Sequence, residues 1–375
     1  MLTAMKTLGN HIYPMRAFFS LVVLLLLSGC TDFGYYWHMT TGHLAIMGKR
    51  ADIVDLLEDP ALDAGLKQRL QLVQEIRQFS IDVLSLPDSG SYTRYVQLDR
   101  PYALQNLFAA PEFSIQLHSW CYPVIGCASY RGYYDEEMLA DYIAGLRQQN
   151  FDIHVGKVPA YSTLGWFDDP VLSSFIDWPD YRLAGLLFHE LTHQRVYVDN
   201  DTQFNESLAA AVQQAGTELW LKSRSEDTEL KQFHRWIEYR RQIVTLIGRT
   251  RERLAQLYQS DAPEAIKREQ KQAIFSTARV NHAAIANRLN FQGGFTHWFA
   301  GDLNNAKLAS VSTYHSLVPA FLAMIEAQDH DFSRFFDTVE KIGELSREER
   351  EQCLTLWMDA APIDDDLCRR ENTLR

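Results

Sequence analysis

The stretch "LLFHELTHQRVYVDNDTQFNESLAAAV", Leu186 to Val212, restricts what this chain can become more than any other. His189 and His193 are four residues apart. At 3.6 residues per turn an α-helix stacks them on one face, so two imidazoles can grip one metal ion. Glu190 follows the first histidine and projects beside the same ion. No charged residue lies between Leu183 and Glu190. A helix apolar on most sides is a buried helix. Two histidines and a glutamate on it are costly to bury without partners, and a metal supplies them. The bland alternative, core histidines satisfied by hydrogen bonds, leaves Glu190 without a purpose.

The pattern His-Glu-x-x-His resembles the metalloprotease helix, with two zinc ligands and a carboxylate that activates a water. A catalytic zinc takes three protein ligands and keeps one position open. Asp199 stands where one zincin class has its final histidine. Val196 replaces the glycine that would turn the chain, so Asp199 faces away from the pair. Glu206 in "FNESLA" is the better third ligand. Asp199 to Thr202 is a polar turn, Asp201 or Thr202 can cap a new helix, and Glu206 lies near its start. Ala209, Ala210 and Ala211 are small enough to let the two helices approach. An Asn-Glu pair at the head of a second helix resembles the gluzincin clan of metallopeptidases. The spacing from His193 to Glu206 is shorter than in the best-known gluzincins.

The amino terminus indicates where such a chain works. Lys6 and Arg16 precede the apolar run "AFFSLVVLLLL", which ends in Leu-Ser-Gly-Cys. The run is shorter than the roughly 20 residues of a membrane span and reads as a secretory signal. Its end resembles the lipobox of bacterial lipoproteins, which implies cleavage after residue 29 and a lipid on Cys30. The expected organisation is therefore a signal peptide at 1–29 and a single domain at 30–375. The expected location is the bacterial envelope, lipid-anchored and facing the periplasm. Thr31, where inner-membrane retention has Asp, favours the outer membrane. In an oxidising compartment Cys121, Cys127, Cys353 and Cys368 pair as disulfides, and the short intervals favour Cys121 with Cys127 and Cys353 with Cys368. The net charge of -12 argues against nucleic-acid binding, which needs a basic face.

Helical spacing runs through "GYYWHMTTGHLAIMGKRADIVDLLED", with Leu44, Met47, Ile53, Leu56 and Leu57 as one face. Further helices are expected over 63–84 and 135–150. "YTRYVQL", "FSIQLHSW" and "FDIHVGKVPAYSTLGW" read as strands. From 225 to 290 a helical period broken at "QSDAPE" predicts a long hairpin, with Phe233, Trp236, Ile243, Ile247, Leu254 and Leu257 facing Ile266, Ile274, Ile285 and Leu289. The fold class is α+β, helix-dominated, with a small sheet before the active-site helix.

The blocks "GCASYRGYYDEE", "AYSTLGWFDDPVLSSF", "FHELTHQRVYVDNDTQFNESLA" and "LNNAKLASVSTYHSLVPAF" resemble a bacterial family of predicted zinc aminopeptidases, known mainly as a domain of unknown function. The resemblance covers nearly all of the mature chain. It implies a zincin-like fold, one zinc ion on His189, His193 and Glu206, a peptide substrate, and Glu190 as general base. Zincins add a donor for the developing oxyanion. Tyr314 is the preferred candidate, with His315 and His297 behind it. They also bind substrate by β-pairing to a strand before the metal helix, here Ala160, Tyr161, Ser162 and Thr163. Asp168, Asp169 and Glu218 are candidates to hold a substrate's free amine. Three functions stand at this point: a zinc aminopeptidase, a zinc endopeptidase processing envelope proteins, and a non-catalytic lipoprotein with a structural metal.

Overall fold

The computed structural model describes residues 30–122, 126–160, 167–291, 293–311, 316–358 and residue 368. Thirteen helices are described: α1 (Cys30–Met47), α2 (Ile53–Glu58), α3 (Ala64–Asp82), α4 (Glu136–Gln148), α5 (Asp180–Arg195), α6 (Thr202–Ser223), α7 (Asp227–Gln259), α8 (Glu264–Leu289), α9 (Phe295–Ala300), α10 (Asn305–Ala309), α11 (Val318–Ala327), α12 (Phe332–Gly343) and α13 (Arg347–Met358). Eight short strands accompany them: β1 (Ala51–Asp52), β2 (Arg94–Val96), β3 (Leu104–Pro111), β4 (Trp120–Tyr122), β5 (Gly126–Ala128), β6 (Arg131–Tyr133), β7 (Phe151–Val158) and β8 (Val171–Leu172). They form sheets in the orders β1-β2-β8, β6-β3-β7 and β4-β5, antiparallel except for β2 with β8. The class is α+β and helix-dominated. No described helix is long and apolar enough to cross a membrane.

Several expectations from the sequence are corrected. The helical stretch before residue 60 is broken after Met47, because Ala51 and Asp52 pair with Tyr95 and Arg94 instead of continuing the helix. Leu44 is consequently exposed, while Met47 and Ile53 are buried. "FSIQLHSW" is not a strand over Phe113–Leu117. The strand lies just upstream, as β3, paired along its whole length with β7. Phe113 instead meets Tyr258 of α7 edge to face, and Ile115 packs on the hairpin core.

The hairpin of α7 and α8 forms as expected, with its own core of Tyr239, Ile243, Ile247, Leu254, Ile274 and Phe275. Ile266 departs from the expected face and is exposed. The first turns of α7, with Phe233 and Trp236, pack instead into the main core. Helix α7 therefore joins the two cores. Cys121 pairs with Cys127, and Cys353 with Cys368, both as expected.

The main core is built around α5 and α6. Leu183, Leu187, Phe188, Leu208, Ala211 and Val212 are fully buried between them and their neighbours. Glycine makes their approach possible. A Cβ on Gly185 would lie 3.1 Å from the Gln213 side chain, and one on Gly216 would lie 3.2 Å from Phe188.

The entry into α6 is held by a buried ion pair. The Asp201 side chain caps the helix by accepting from Phe204 N at 3.1 Å. Its other oxygen accepts from Arg350 Nε at 3.1 Å and from a terminal nitrogen at 2.8 Å. Arg350 also donates to the Gly343 and Leu345 carbonyls, so its charge is fully engaged. Both side chains are 7% exposed. Removing one partner strands the other charge in the core. Asp201→Ala should therefore lower the unfolding free energy by about 3–5 kcal/mol in a denaturant titration of the metal-free protein. A loss under about 1 kcal/mol would show that the pair does not anchor α6.

Candidate metal centre

Helix α5 begins after Pro179, with Asp180 in its first turn and Arg195 in its last, matching the helix dipole. It ends where Val196 turns extended, and Asn200 takes a left-handed conformation before α6 starts. Asn205 fastens this turn from inside. Its side chain accepts from Val198 N at 2.9 Å and donates to Val198 O at 2.8 Å. Asn205 is therefore the latch of the turn, and Glu206 beside it is aimed at α5.

The three expected ligand groups meet. His189 Nε2 and His193 Nε2 are 3.3 Å apart. The Glu206 carboxylate lies 3.5 Å from the first and 3.6 Å from the second. Bonds of roughly 2.0–2.1 Å at tetrahedral angles place neighbouring ligand atoms about 3.3 Å apart. The triangle has the dimensions of three vertices of such a tetrahedron. Among the described residues these three alone form a group able to hold a metal ion. Asp199 is exposed in the turn and is not part of it.

The electrostatics favour a cation at this point. His193 is pushed down to about 4 by burial and by the neighbouring His189, so near neutral pH it offers a lone pair. For His189 burial acts to lower the pKa. The hydrogen-bonded Glu206 carboxylate and Glu190 outweigh burial and raise it. Neither imidazole Nδ1 has a hydrogen-bond partner among the described residues. Ring orientation thus rests on packing: the two rings meet edge to face, 4.9 Å apart, and His193 lies 6.3 Å from the Tyr197 ring.

Glu190 lines a cavity with His189. The Glu190 charge is felt by Tyr92, a buried residue with φ +62°, a strained value for an aromatic side chain. Burial first, and then the charges of Glu190 and Asp169, keep the Tyr92 phenol protonated. Asp169 is buried, and its backbone is tied to Ser91 and Tyr92. Glu218 lies twelve residues beyond Glu206 on the same helix, roughly 18 Å away at 1.5 Å per residue. It bonds Lys222 and His234 and is remote from the site. Asp168 is exposed against Gly90.

Tyr314, His315, Tyr161, Ser162 and Thr163 lie outside the described residues. Ala160 packs on the main core just past the end of β7. His297 is exposed on α9, a helix that packs on the hairpin. The sequence reading missed four side chains. Tyr130 and Tyr197 are both about half exposed; the Glu206 charge acts on the Tyr130 phenol, and the Tyr197 ring lies 6.3 Å from that of His193. Arg182 and Arg240 approach the His189 side. None is signalled by spacing, because tertiary packing alone brings them in.

The family model described as "Putative aminopeptidase" matches residues 34–354. The chain belongs to this family. No curated protein and no solved structure matches it. The match spans α1 through nearly all of α13, so α5 and α6 lie well inside the family's common region.

This centre should hold one divalent ion per chain. His193→Ala and Glu206→Gln should each weaken zinc binding at least about 100-fold in a chelator competition. Below the raised pKa of His189 a proton must leave for each ion bound. Affinity should then fall about tenfold per pH unit as pH drops. A pH-independent affinity would place the ion elsewhere.

Proposed function

We propose that this protein is a zinc-dependent peptidase of the bacterial envelope, acting as an aminopeptidase on a zincin-like scaffold. The observation that carries the reading is the triangle of His189, His193 and Glu206 with a carboxylate, Glu190, beside it on the same helix. A purely structural ion has no use for that carboxylate. Family membership supports peptide hydrolysis, and the lipobox-like sequence ending at Cys30 supports the envelope.

Bound zinc would supply Lewis acidity and a water of lowered pKa. The chain's own groups do the rest. His189 and His193 present their Nε2 atoms from one helical face, and Glu206 completes the set from α6. Glu190 takes a proton from the attacking water on its carboxylate and returns it to the departing amine. The Tyr92 phenol, held protonated, lies within electrostatic reach of that carboxylate. Tyr130 and Tyr197 stand where a phenol can donate to the oxygen of the substrate carbonyl. The packed flank of α5, with Leu187 and Phe188 fully buried, keeps bulk water from the opposite face of the helix.

Glu190→Gln keeps the side chain's shape and lies outside the ligand set. It should retain full zinc content and lose about 100- to 10,000-fold of the rate on a peptide library. Full activity in this variant would rule out the mechanism. The location has its own test: Cys30→Ala should move the protein from membrane to soluble fractions, and an unchanged distribution without lipid labelling of the parent would refute anchoring.

A further inference from the structure

The helical hairpin carries charge against the trend of the chain. The chain has 48 acidic and 36 basic side chains, yet residues 239–251 of α7 and 270–301, from inside α8 through α9, contain no Asp or Glu. Arg240, Arg241, Arg249 and Arg251 fall in the first stretch, and Lys271, Arg279 and Arg288 in the second. Between α7 and α8 runs a groove of about 540 Å³. Arg241, Gln242, Arg249 and Arg253 line it from α7, and Asn281 and Arg288 from α8. Among the described residues that line it there is no carboxylate.

The two ends of the groove differ. At one end Arg288 donates to the Gln242 side chain, and Arg241 holds Glu238 through bonds of 2.8 and 2.7 Å. That end is satisfied within the protein. At the other end Arg249 and Arg253 stand exposed, one turn apart on α7. Neither guanidinium makes a hydrogen bond or ion pair with a described residue, and the Asn281 amide donates to none. Like charges at this spacing repel and destabilise a helix. Glu238 and Glu252 flank the acid-free stretch of α7. Setting both against the four guanidinium groups of the lining leaves two positive charges over, with Arg240 and Arg251, which have contacts elsewhere, kept out of the count. A concave surface of one sign concentrates its field and draws an anion.

We infer that the groove between α7 and α8 binds a phosphate-bearing ligand, gripped by Arg249 and Arg253 with Asn281 donating from the facing helix. A tetrahedral phosphate accepts from several directions at once, which suits donors arriving from two turns and two helices. A planar carboxylate is matched by a single guanidinium fork. Arg241 and Arg288 continue the positive field, so the groove follows α7 for roughly 18 Å and favours a ligand with more than one phosphate. The site is separate from the metal centre. Arg249 and Arg253 follow Arg240 by nine and thirteen residues, roughly 14–20 Å along α7. The inference goes beyond the peptidase reading and does not rest on it. The phosphate has two possible sources, a soluble compound or the headgroups of a lipid surface.

The test has two arms at one fixed ionic strength. Calorimetric titration of the full chain with tripolyphosphate, and with hexaglutamate for comparison, reads a soluble source. Co-sedimentation of Cys30→Ala protein, which can carry no lipid, with vesicles of phosphatidylglycerol and phosphatidylcholine, against phosphatidylcholine alone, reads the lipid source. At least one of tripolyphosphate and the phosphatidylglycerol vesicles should bind, with hexaglutamate staying a weak ligand. Binding of tripolyphosphate alone assigns a soluble ligand, and binding of the vesicles alone assigns a headgroup. Binding of both, lost together on substitution, assigns phosphate of either origin. Arg249→Gln combined with Arg253→Gln should weaken the binding at least about tenfold. Both side chains are exposed, so the variant should keep the circular dichroism of the parent. Arg249→Lys with Arg253→Lys should keep part of the affinity, because the charges stay while the forks are lost. Arg334→Gln, which removes an exposed guanidinium on α12, should change it by less than about twofold. No binding of either phosphate probe, hexaglutamate bound as tightly as the phosphate probe, an equal loss in Arg334→Gln, or unchanged affinity in the double Gln variant would overturn the inference.

Discussion

Everything in this molecule depends on how closely α5 and α6 approach. Three polar groups sit 3.3–3.6 Å apart on two helices whose other faces are packed in the core. Without a cation, two imidazoles and a carboxylate at this range are costly to desolvate. The helices reach this spacing because Gly185 faces Gln213 and Thr217, and because Ala209, Ala210 and Ala211 leave room along α6. Asp201, Arg350 and Asn205 then fix the rotation of α6, which decides whether Glu206 points at the histidines. The site is a consequence of core packing and is placed on rigid helices.

Much of this was legible in advance, and particular residues show why. His189 and His193 are linked by a local rule, the period of the helix, and the apolar run before them by another. Glu206 followed from turn chemistry, since Asp201 caps the next helix as its position suggested. The Cys121–Cys127 and Cys353–Cys368 pairings followed from short loops. The hairpin followed from its period. What was not legible depends on distant partners. Phe113 to Leu117 alternates as a strand does, but Phe113 and Ile115 pack toward the hairpin, and the real strand β3 is created by pairing with β7. The break after Met47 is likewise caused by pairing with β2. Arg182 and Arg240 are 58 residues apart in sequence and carry no pattern. Only the packing of α7 against α5 makes them neighbours of Glu190.

The two sides of the centre differ in character. Near Glu206 and His193 are phenols, Tyr130 and Tyr197, which can donate without charge. On the His189 side are two guanidinium groups stacked on indoles. Helix α7 connects this polarity to the hairpin, because Arg240 lies only one residue after Tyr239, the first member of the hairpin core.

The central claim is that a metal ion joins α5 to α6 through two imidazoles and one carboxylate. X-ray absorption at the zinc edge of the loaded protein measures this directly. The account predicts a four-coordinate shell of nitrogen and oxygen at roughly 2.0–2.2 Å, with the outer-shell scattering of two imidazoles. In Glu206→Gln the two imidazoles should remain while the first shell changes. A shell with sulfur, with fewer than two imidazoles, or unaltered by Glu206→Gln would contradict it.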